Sequence, residues 1–377
     1  MARYFTKISG AEGGLHVRLS PFDERVVDIR FMDHEGQNIS KNNERTIERI
    51  FFREDFRRVY LDDIGTIEYA EHVKKRYIDD FLKHLNTKAI QDSQFNLVVN
   101  FADAPISNVL PIILDKLNCT VVALNANIDI TRNSPTQAHF QTTIKQMQLI
   151  TTALGAQLGM HLDPGGEKIV VIDNKGHLLQ GITTAAIMTE LVLRDVPGST
   201  ITLPVDLPNI FEKIAKRHGG RIIRTDMEPD ALIKTTYSNK VIMGTNGRGN
   251  FIFPDFQCAF DGMMASAKLL EFLATQKIDI SQLVTSLPPF HIAYRRVSCL
   301  WEAKPKVMRL IHEKFDSFNN QVSHGVKVNL DQNKWVLIVP DPDQPYFRVT
   351  TEANTQDDAE ALADEYAQII EKISPFE

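Results

Sequence analysis

Hydrophobic and polar positions alternate along the chain in two rhythms. Near the start, Leu15, Val17 and Leu19 occupy every second position, and Val27, Ile29 and Phe31 repeat the pattern. Period two marks strands with one face turned to a core. A helix end and the Gly13–Gly14 turn precede the first run, and charged helical stretches over 41–59 and 70–85 follow the second. At residue 95 the pattern restarts. Residues 95–101, FNLVVNF, are the continuous apolar run of a buried strand; 108–118 read as a helix and 120–126 as another strand. Together they make a βαβ unit. A helix over 142–155, a strand over 157–163 and a hairpin over 165–179, turning at 174–176, complete it.

A third restart comes near residue 183, with helices over 183–195 and 207–219 alternating with strands over 199–205 and 221–226. A glycine-rich loop, GTNGRGN at 244–250, then separates two apolar runs, and 261–276 is a helix. Pro288 and Pro289 stop helical structure and mark a linker. Beyond it, three or four strands (291–299, 326–330, 334–340, 346–353) and two helices (305–315, 356–373) predict an α+β module. The chain thus divides into units 1–92, 93–182, 183–288 and 289–377, each of small-domain size.

Composition narrows the class. The 377 residues carry 42 Lys plus Arg against 48 Asp plus Glu, a net charge of −6. A mildly acidic chain is a poor polyanion binder, so nucleic acid is not expected as a partner. Cys119, Cys258 and Cys299 lie far apart, with neither zinc spacing nor an even disulfide framework, and point to a reducing compartment. No apolar run reaches the ~18 residues of a membrane span, and MARYFTKISG carries no apolar leader core. Cytoplasmic location without membrane attachment is the expectation.

Four stretches carry a resemblance: GGLHVRLSP at 13–21, NVLPIILDKLNCTVVALNA at 108–126, GNFIFPDFQCAFDGMMASAKLLEFLA at 249–274 and PYFRVTTEA at 345–353. With four units in a row, each with its own loop, they resemble the α-D-phosphohexomutase superfamily, the phosphomannomutases and phosphoglucomutases. More closely, the chain resembles the mutase-like C-terminal region of bacterial sugar-phosphate nucleotidyltransferase–phosphomannomutase fusion proteins. The resemblance implies an α/β fold: three consecutive α/β units and a C-terminal α+β domain around a central cleft. Met1 would fall inside the first unit, which implies a truncated unit with an open sheet edge.

The resemblance also assigns the loops. A mutase of this kind passes a phosphoryl group between a phosphoserine and a hexose monophosphate, which is mainly a matter of positioning and charge neutralisation. Spacing after the glycine pair puts Ser20 at the phosphoserine, with Pro21–Phe22 where the family has His-Asn. The metal loop, D-G-D-x-D-R in the family, is DPGGEK here: Asp163 and Glu167 remain as ligands, Gly165 replaces the second carboxylate, and Lys168 replaces the arginine. Mg²⁺ as cofactor is therefore expected to be weak or absent, since an octahedral site needs its full set of oxygens. In the sugar-reading loop, Asn246, Arg248 and Asn250 stand for glutamate, serine and histidine. The phosphate clamp, R-x-S-G-T-E-P in the family, becomes VPDPDQP: Asp341 and Asp343 stand where hydroxyls would be and Val339 where an arginine would be, with Arg348 retained in the following strand.

Two functions compete. The first is a phosphomannomutase or phosphoglucomutase acting on hexose phosphates of nucleotide-sugar metabolism, with altered loops. The second is a non-catalytic sugar-phosphate-binding or regulatory module that supports a mannose-1-phosphate guanylyltransferase-type nucleotidyltransferase, as domain or subunit.

Overall fold

The computed structural model describes residues 1–19, 25–129, 136–315, 319–322, 325–342 and 344–373. Helix α1 (Ala2–Ser9) ends at Gly10, whose φ of 67° is the left-handed value that glycine adopts without strain. Strands β1 (Gly13–Leu19) and β2 (Val27–Asp33) pair antiparallel, with His16 opposite Arg30 and Val17 opposite Ile29. The alternation read in the sequence is there, but Leu15, Val17 and Ile29 are more than half exposed, at 56, 55 and 54%. The opposite face carries His16, Arg18 and Arg30.

Helix α2 (Lys41–Arg53) is capped by the Ser40 hydroxyl, which accepts from the Asn43 N–H, and stops where Glu54 takes φ 52°. It therefore ends short of the expected 59, and none of its residues is buried. Helix α3 (Val73–Lys83) turns Tyr77, Ile78 and Phe81 inward. Helix α4 (Thr87–Ser93), capped by Asn86, was not foreseen; it is a single short amphipathic turn pair in a polar stretch.

The βαβ unit forms as expected. Strands β3 (Asn96–Asn100), β4 (Thr120–Leu124), β5 (Leu158–Leu162), β6 (Ile169–Ile172) and β7 (Leu178–Leu179) make one sheet in the order β4-β3-β5-β6-β7. The first three are parallel and the last two antiparallel. Helices α5 (Leu110–Lys116) and α6 (Gln137–Ala153) connect the parallel strands. Buried on both faces, β5 reads as a continuous apolar run rather than an alternating one.

After α7 (Gly181–Asp195), strand β8 (Thr200–Pro204), helix α8 (Ile210–Arg217), strand β9 (Arg221–Thr225), helix α9 (Pro229–Ser238) and strand β10 (Met243–Thr245) alternate, and β8 pairs in parallel with both β9 and β10. Helix α9 was also missed, although Pro229 in its first turn is a start signal. The short β11 (Phe251–Ile252) leads to α10 (Gly262–Gln276), capped by Asp261, and then α11 (Ile280–Ser286).

The last sheet has five antiparallel strands, not three or four: β12 (His291–Ser298), β13 (Asn319–Val322), β14 (Gly325–Asp331), β15 (Lys334–Pro340) and β16 (Tyr346–Ala353), ordered β12-β16-β15-β14-β13. The unforeseen β13 begins Asn-Asn-Gln, which gives no apolar pattern to read. Helices α12 (Lys304–Phe315) and α13 (Gln356–Ile373) cover one face, over a core that includes Val307, Ile311, Ile338, Phe347 and Tyr366. On the other face Trp335, Leu337 and Val339 pack with Val205 and Met227. There the Trp335 Nε1–H donates to Glu352 Oε2 at 2.5 Å, and Lys327 Nζ lies 4.1 Å from the indole centroid.

The chain forms two compact units, 1–184 with 248–283, and 185–247 with 284–377. No helix among the described residues is long and apolar enough to cross a membrane.

Candidate functional site

In the first unit the loop 163–168 joins β5 to β6 and folds around its own first residue. Asp163 Oδ1 accepts the N–H groups of Glu167 and Lys168, both at 2.7 Å, and Oδ2 accepts that of Gly165 at 3.3 Å. Burial pushes the Asp163 carboxyl above its usual range, and these N–H bonds pull against that shift. Gly166, at φ 66°, makes the turn, and its carbonyl accepts the Gly262 N–H at the start of α10 at 2.8 Å. From the glycine-rich segment, Asn250 Nδ2 donates to the Glu167 carbonyl at 3.0 Å, and the Gly249 carbonyl accepts the Ile169 N–H at 2.9 Å. A Cβ at residue 249 would lie 2.2 Å from the Ile169 oxygen, so glycine is required there.

The side chains around this loop are cationic. Arg30 Nη1 meets Glu167 Oε1 at 2.7 Å, and Arg18 Nε lies 3.5 Å from Asp28 Oδ2. Both arginines come from the polar face of the β1–β2 hairpin. His16, opposite Arg30 in the register and two residues before Arg18 on β1, is pushed down by burial and by Arg18 and Arg30. A cavity of about 340 Å³ opens here, lined by His16, Arg18, Arg30, Glu167, Gln257 and Asp261 among others. Asp261 is buried; it accepts from the Met264 N–H, from Gln257 Nε2 at 2.6 Å and from the Tyr77 hydroxyl at 3.4 Å. Burial pushes the Asp261 carboxyl and the Tyr77 hydroxyl above their usual ranges.

Behind the loop, His161 on β5 is buried against Phe140, with ring centroids 5.4 Å apart. Burial, then the charge of Lys168, pushes it down to about 4. The unfolded imidazole titrates near ~6.5, so the unfolded chain takes up the proton first. The stability this neutral ring provides is whole above that value and is lost as pH falls toward 4, by on the order of 3 kcal/mol. Urea unfolding of wild type should therefore weaken between neutral and mildly acidic pH more steeply than that of His161→Leu. Equal pH slopes for the two proteins would sink this assignment.

The second unit holds the loop between β15 and β16. Lys304 Nζ donates to the carbonyls of Asp341 and Gln344, both at 2.6 Å, and lies 3.7 Å from the Trp301 ring centroid. Asp341 Oδ2 lies 3.2 Å from Arg348 Nε. The loop thus turns carbonyl groups toward an internal ammonium and pairs its arginine with its own carboxylate.

The expected site residues therefore separate into groups. Asp163, Glu167, Lys168 and Asn250 come together in the first unit, where Arg248 is exposed. Asn246 is half-buried in the second unit, in which Asp341 and Arg348 make their own pair. Ser20 and Asp343 lie outside the described residues. Sequence reasoning missed Arg30, Asp261 and Lys304. For Arg30 a signal existed, because alternation puts residue 30 on the face opposite Ile29; for Lys304, on a distant helix, there was none.

Magnesium, implied by the resemblance, can be tested against these donors. Position 165 offers no side chain, both Asp163 oxygens accept backbone N–H groups, and Glu167 faces a guanidinium. Among the described residues no three His, Cys, Asp or Glu side chains converge as a metal-binding set. As placed, these donors face the loop's own backbone and Arg30 rather than a shared point.

The chain is similar to known proteins in sequence and in fold. Residues 75–176 match the family model for phosphoglucomutase/phosphomannomutase alpha/beta/alpha domain II, and 180–290 match that for domain III. A phosphoglucomutase/phosphomannomutase of Thermococcus kodakarensis is 28% identical over 360 residues, 95% of this chain and 78% of that protein. A phosphoglucomutase/phosphomannomutase family protein from Burkholderia thailandensis superposes with a TM-score of 0.80 at 18% identity, over 97% of this chain and 77% of that one. Aspergillus fumigatus N-acetylphosphoglucosamine mutase, solved with GlcNAc-6P and magnesium, gives 0.61 at 12% identity, over 99% and 91%. The α/β architecture expected from the sequence is the one these structures share.

Proposed function

We infer that this chain, which belongs to the phosphohexomutase superfamily, binds a hexose phosphate of nucleotide-sugar metabolism without interconverting it at an ordinary enzymatic rate. One observation carries the reading: the double hydrogen bond from Lys304 to the Asp341 and Gln344 carbonyls, beside the Asp341–Arg348 pair. A phosphate dianion needs N–H and O–H donors aimed at it. This loop aims acceptors inward, neutralises its arginine internally and, at Pro342, has no N–H to give. A carboxylate ~4–6 Å from a phosphate costs about 1 kcal/mol even at water-like screening.

Binding rests on the first unit. Its cavity of about 340 Å³ falls in the range of small-ligand sites, roughly 300–1,000 Å³, and it is lined by Arg18 and Arg30, whose guanidinium groups keep N–H donors beyond those facing Asp28 and Glu167. The Aspergillus relative's GlcNAc-6P supports the same ligand class here, with Lys168, Arg248 and Asn250 of the same unit as further sugar or phosphate contacts. The four modules take the boundaries 1–92, 93–182, 183–288 and 289–377. The reading extends to a regulatory role beside a guanylyltransferase-type nucleotidyltransferase, and to the cytoplasm as location.

Calorimetry with glucose 1-phosphate, mannose 1-phosphate and glucosamine 6-phosphate tests the binding. At least one should bind with a Kd of order ~1 mM or tighter, about −4 kcal/mol. Arg18→Gln should weaken it roughly ten- to a hundredfold, the worth of one charged hydrogen bond at ~1.5–3 kcal/mol. No heat from any of the three at millimolar concentration would refute the reading.

A further inference from the structure

We propose that the loop 163–168 takes no divalent cation and that Arg30 is its built-in counter-cation. The claim goes beyond hexose-phosphate binding and stands if that binding fails. Its basis is a geometric substitution. Arg30 Nη1 lies 2.7 Å from Glu167 Oε1, on the carboxylate that the resemblance makes a metal ligand. A Cβ at Gly165, where a second ligand side chain would begin, would lie 3.1 Å from Arg18 Nη1 and 3.1 Å from Asp163 Oδ2. Asp163 spends its oxygens on three backbone N–H groups.

Both guanidinium groups are delivered by one hairpin. Arg18 on β1 and Arg30 on β2 share its polar face, and Arg18 is steadied by Asp28, its partner in the register. A Mg²⁺ ion demands six oxygens at ~2.0–2.1 Å in near-octahedral array. Here it would find one carboxylate already accepting three backbone N–H groups, one carboxylate paired with Arg30, and two guanidinium groups that repel it. Arginine keeps its charge at every working pH, so the loop stays electrically balanced without an ion.

The experiment is a Mn²⁺ titration of the full chain, followed through the electron paramagnetic resonance signal of the free ion. Wild type should remove no stoichiometric Mn²⁺ through the micromolar range, and millimolar Mg²⁺ should leave its melting temperature unmoved. Arg30→Gln should bind Mn²⁺ several-fold tighter than wild type. Arg18→Gln, Arg30→Gln and Gly165→Asp together should bind at least about tenfold tighter and melt higher with Mg²⁺. Wild-type binding of one equivalent, abolished by Glu167→Gln, overturns the proposal. So does a failure of both arginine variants, folded by circular dichroism, to gain affinity, because Arg30 would then not be what excludes the ion.

Discussion

Incubated with glucose 1-phosphate or mannose 1-phosphate, a hexose bisphosphate activator and Mg²⁺, the protein is expected to leave the ³¹P NMR spectrum unchanged beyond a protein-free control. The reaction needs a held phosphate at one end of the sugar and a reacting phosphoryl group at the other. Such a phosphate carries about −1.5 to −2 charges near neutral pH. The loop 339–345 offers it Val339 instead of an arginine, Pro342 instead of a donor, and the Asp341 carboxylate 3.2 Å from the one arginine that remains. Loss of a single oxyanion donor typically costs ~10²–10³ in rate. Two or more such losses compound to roughly 10⁴–10⁶ in kcat/KM, which would bring an ordinary enzyme close to background. Ser20→Ala supplies the control. Clear conversion by wild type that vanishes in this variant would show a working mutase and reverse the reading. Conversion that survives it would point to a contaminating enzyme.

The second large effect concerns the last sheet. Trp335→Ala is expected to destabilise the second unit by about 4–6 kcal/mol, a large share of the ~5–15 kcal/mol that holds a typical domain together. Trp335 is 1% exposed and packs against Leu337, Val339, Val205 and Met227. Truncation of a buried aromatic side chain to alanine costs ~3–5 kcal/mol through lost burial and the cavity left behind. Two polar partners are stranded as well. Glu352 loses the indole N–H at 2.5 Å and keeps only the Asn209 N–H, while Lys327, pushed down to about 8 by burial, loses the ring beneath it. The melting temperature should fall by roughly 10–20 °C, at ~2–4 °C per kcal/mol for a unit of this size. Trp335→Phe keeps a ring for Lys327 but no N–H for Glu352, and should lose about 1–3 kcal/mol. Trp301 remains in both variants as a fluorescent reporter. A Trp335→Ala melt within a few degrees of wild type would refute this account.

Much of the architecture was legible because its strands are long and regular. The expected runs 334–340 and 346–353 are β15 and β16 residue for residue, and 356–373 is α13. What escaped was short or polar: α4, α9 and β13 carry too few apolar positions to set a period. The hairpin shows a second limit. Alternation gave its strands, but a period of two does not say which face meets solvent, and here the apolar side is the exposed one.

At the site, sequence placed Asp163, Glu167 and Lys168 on one loop, where they are. It could not show that Asp163 serves the loop's own backbone or that Glu167 is claimed by a residue 137 positions away. Contacts of that separation leave no local pattern. Lys304 and Asp341, likewise 37 apart, meet only once the last sheet has formed.

The way the loop 163–168 is fastened has a consequence for the substitutions it tolerates. Its outer bonds, from the Gly262 N–H to the Gly166 carbonyl and from the Ile169 N–H to the Gly249 carbonyl, run from main chain to main chain. Neither depends on which side chains the loop displays. Positions 164, 165 and 167 are therefore open to drift: a carboxylate can be exchanged for glycine, or its charge handed to an arginine, without loosening the turn.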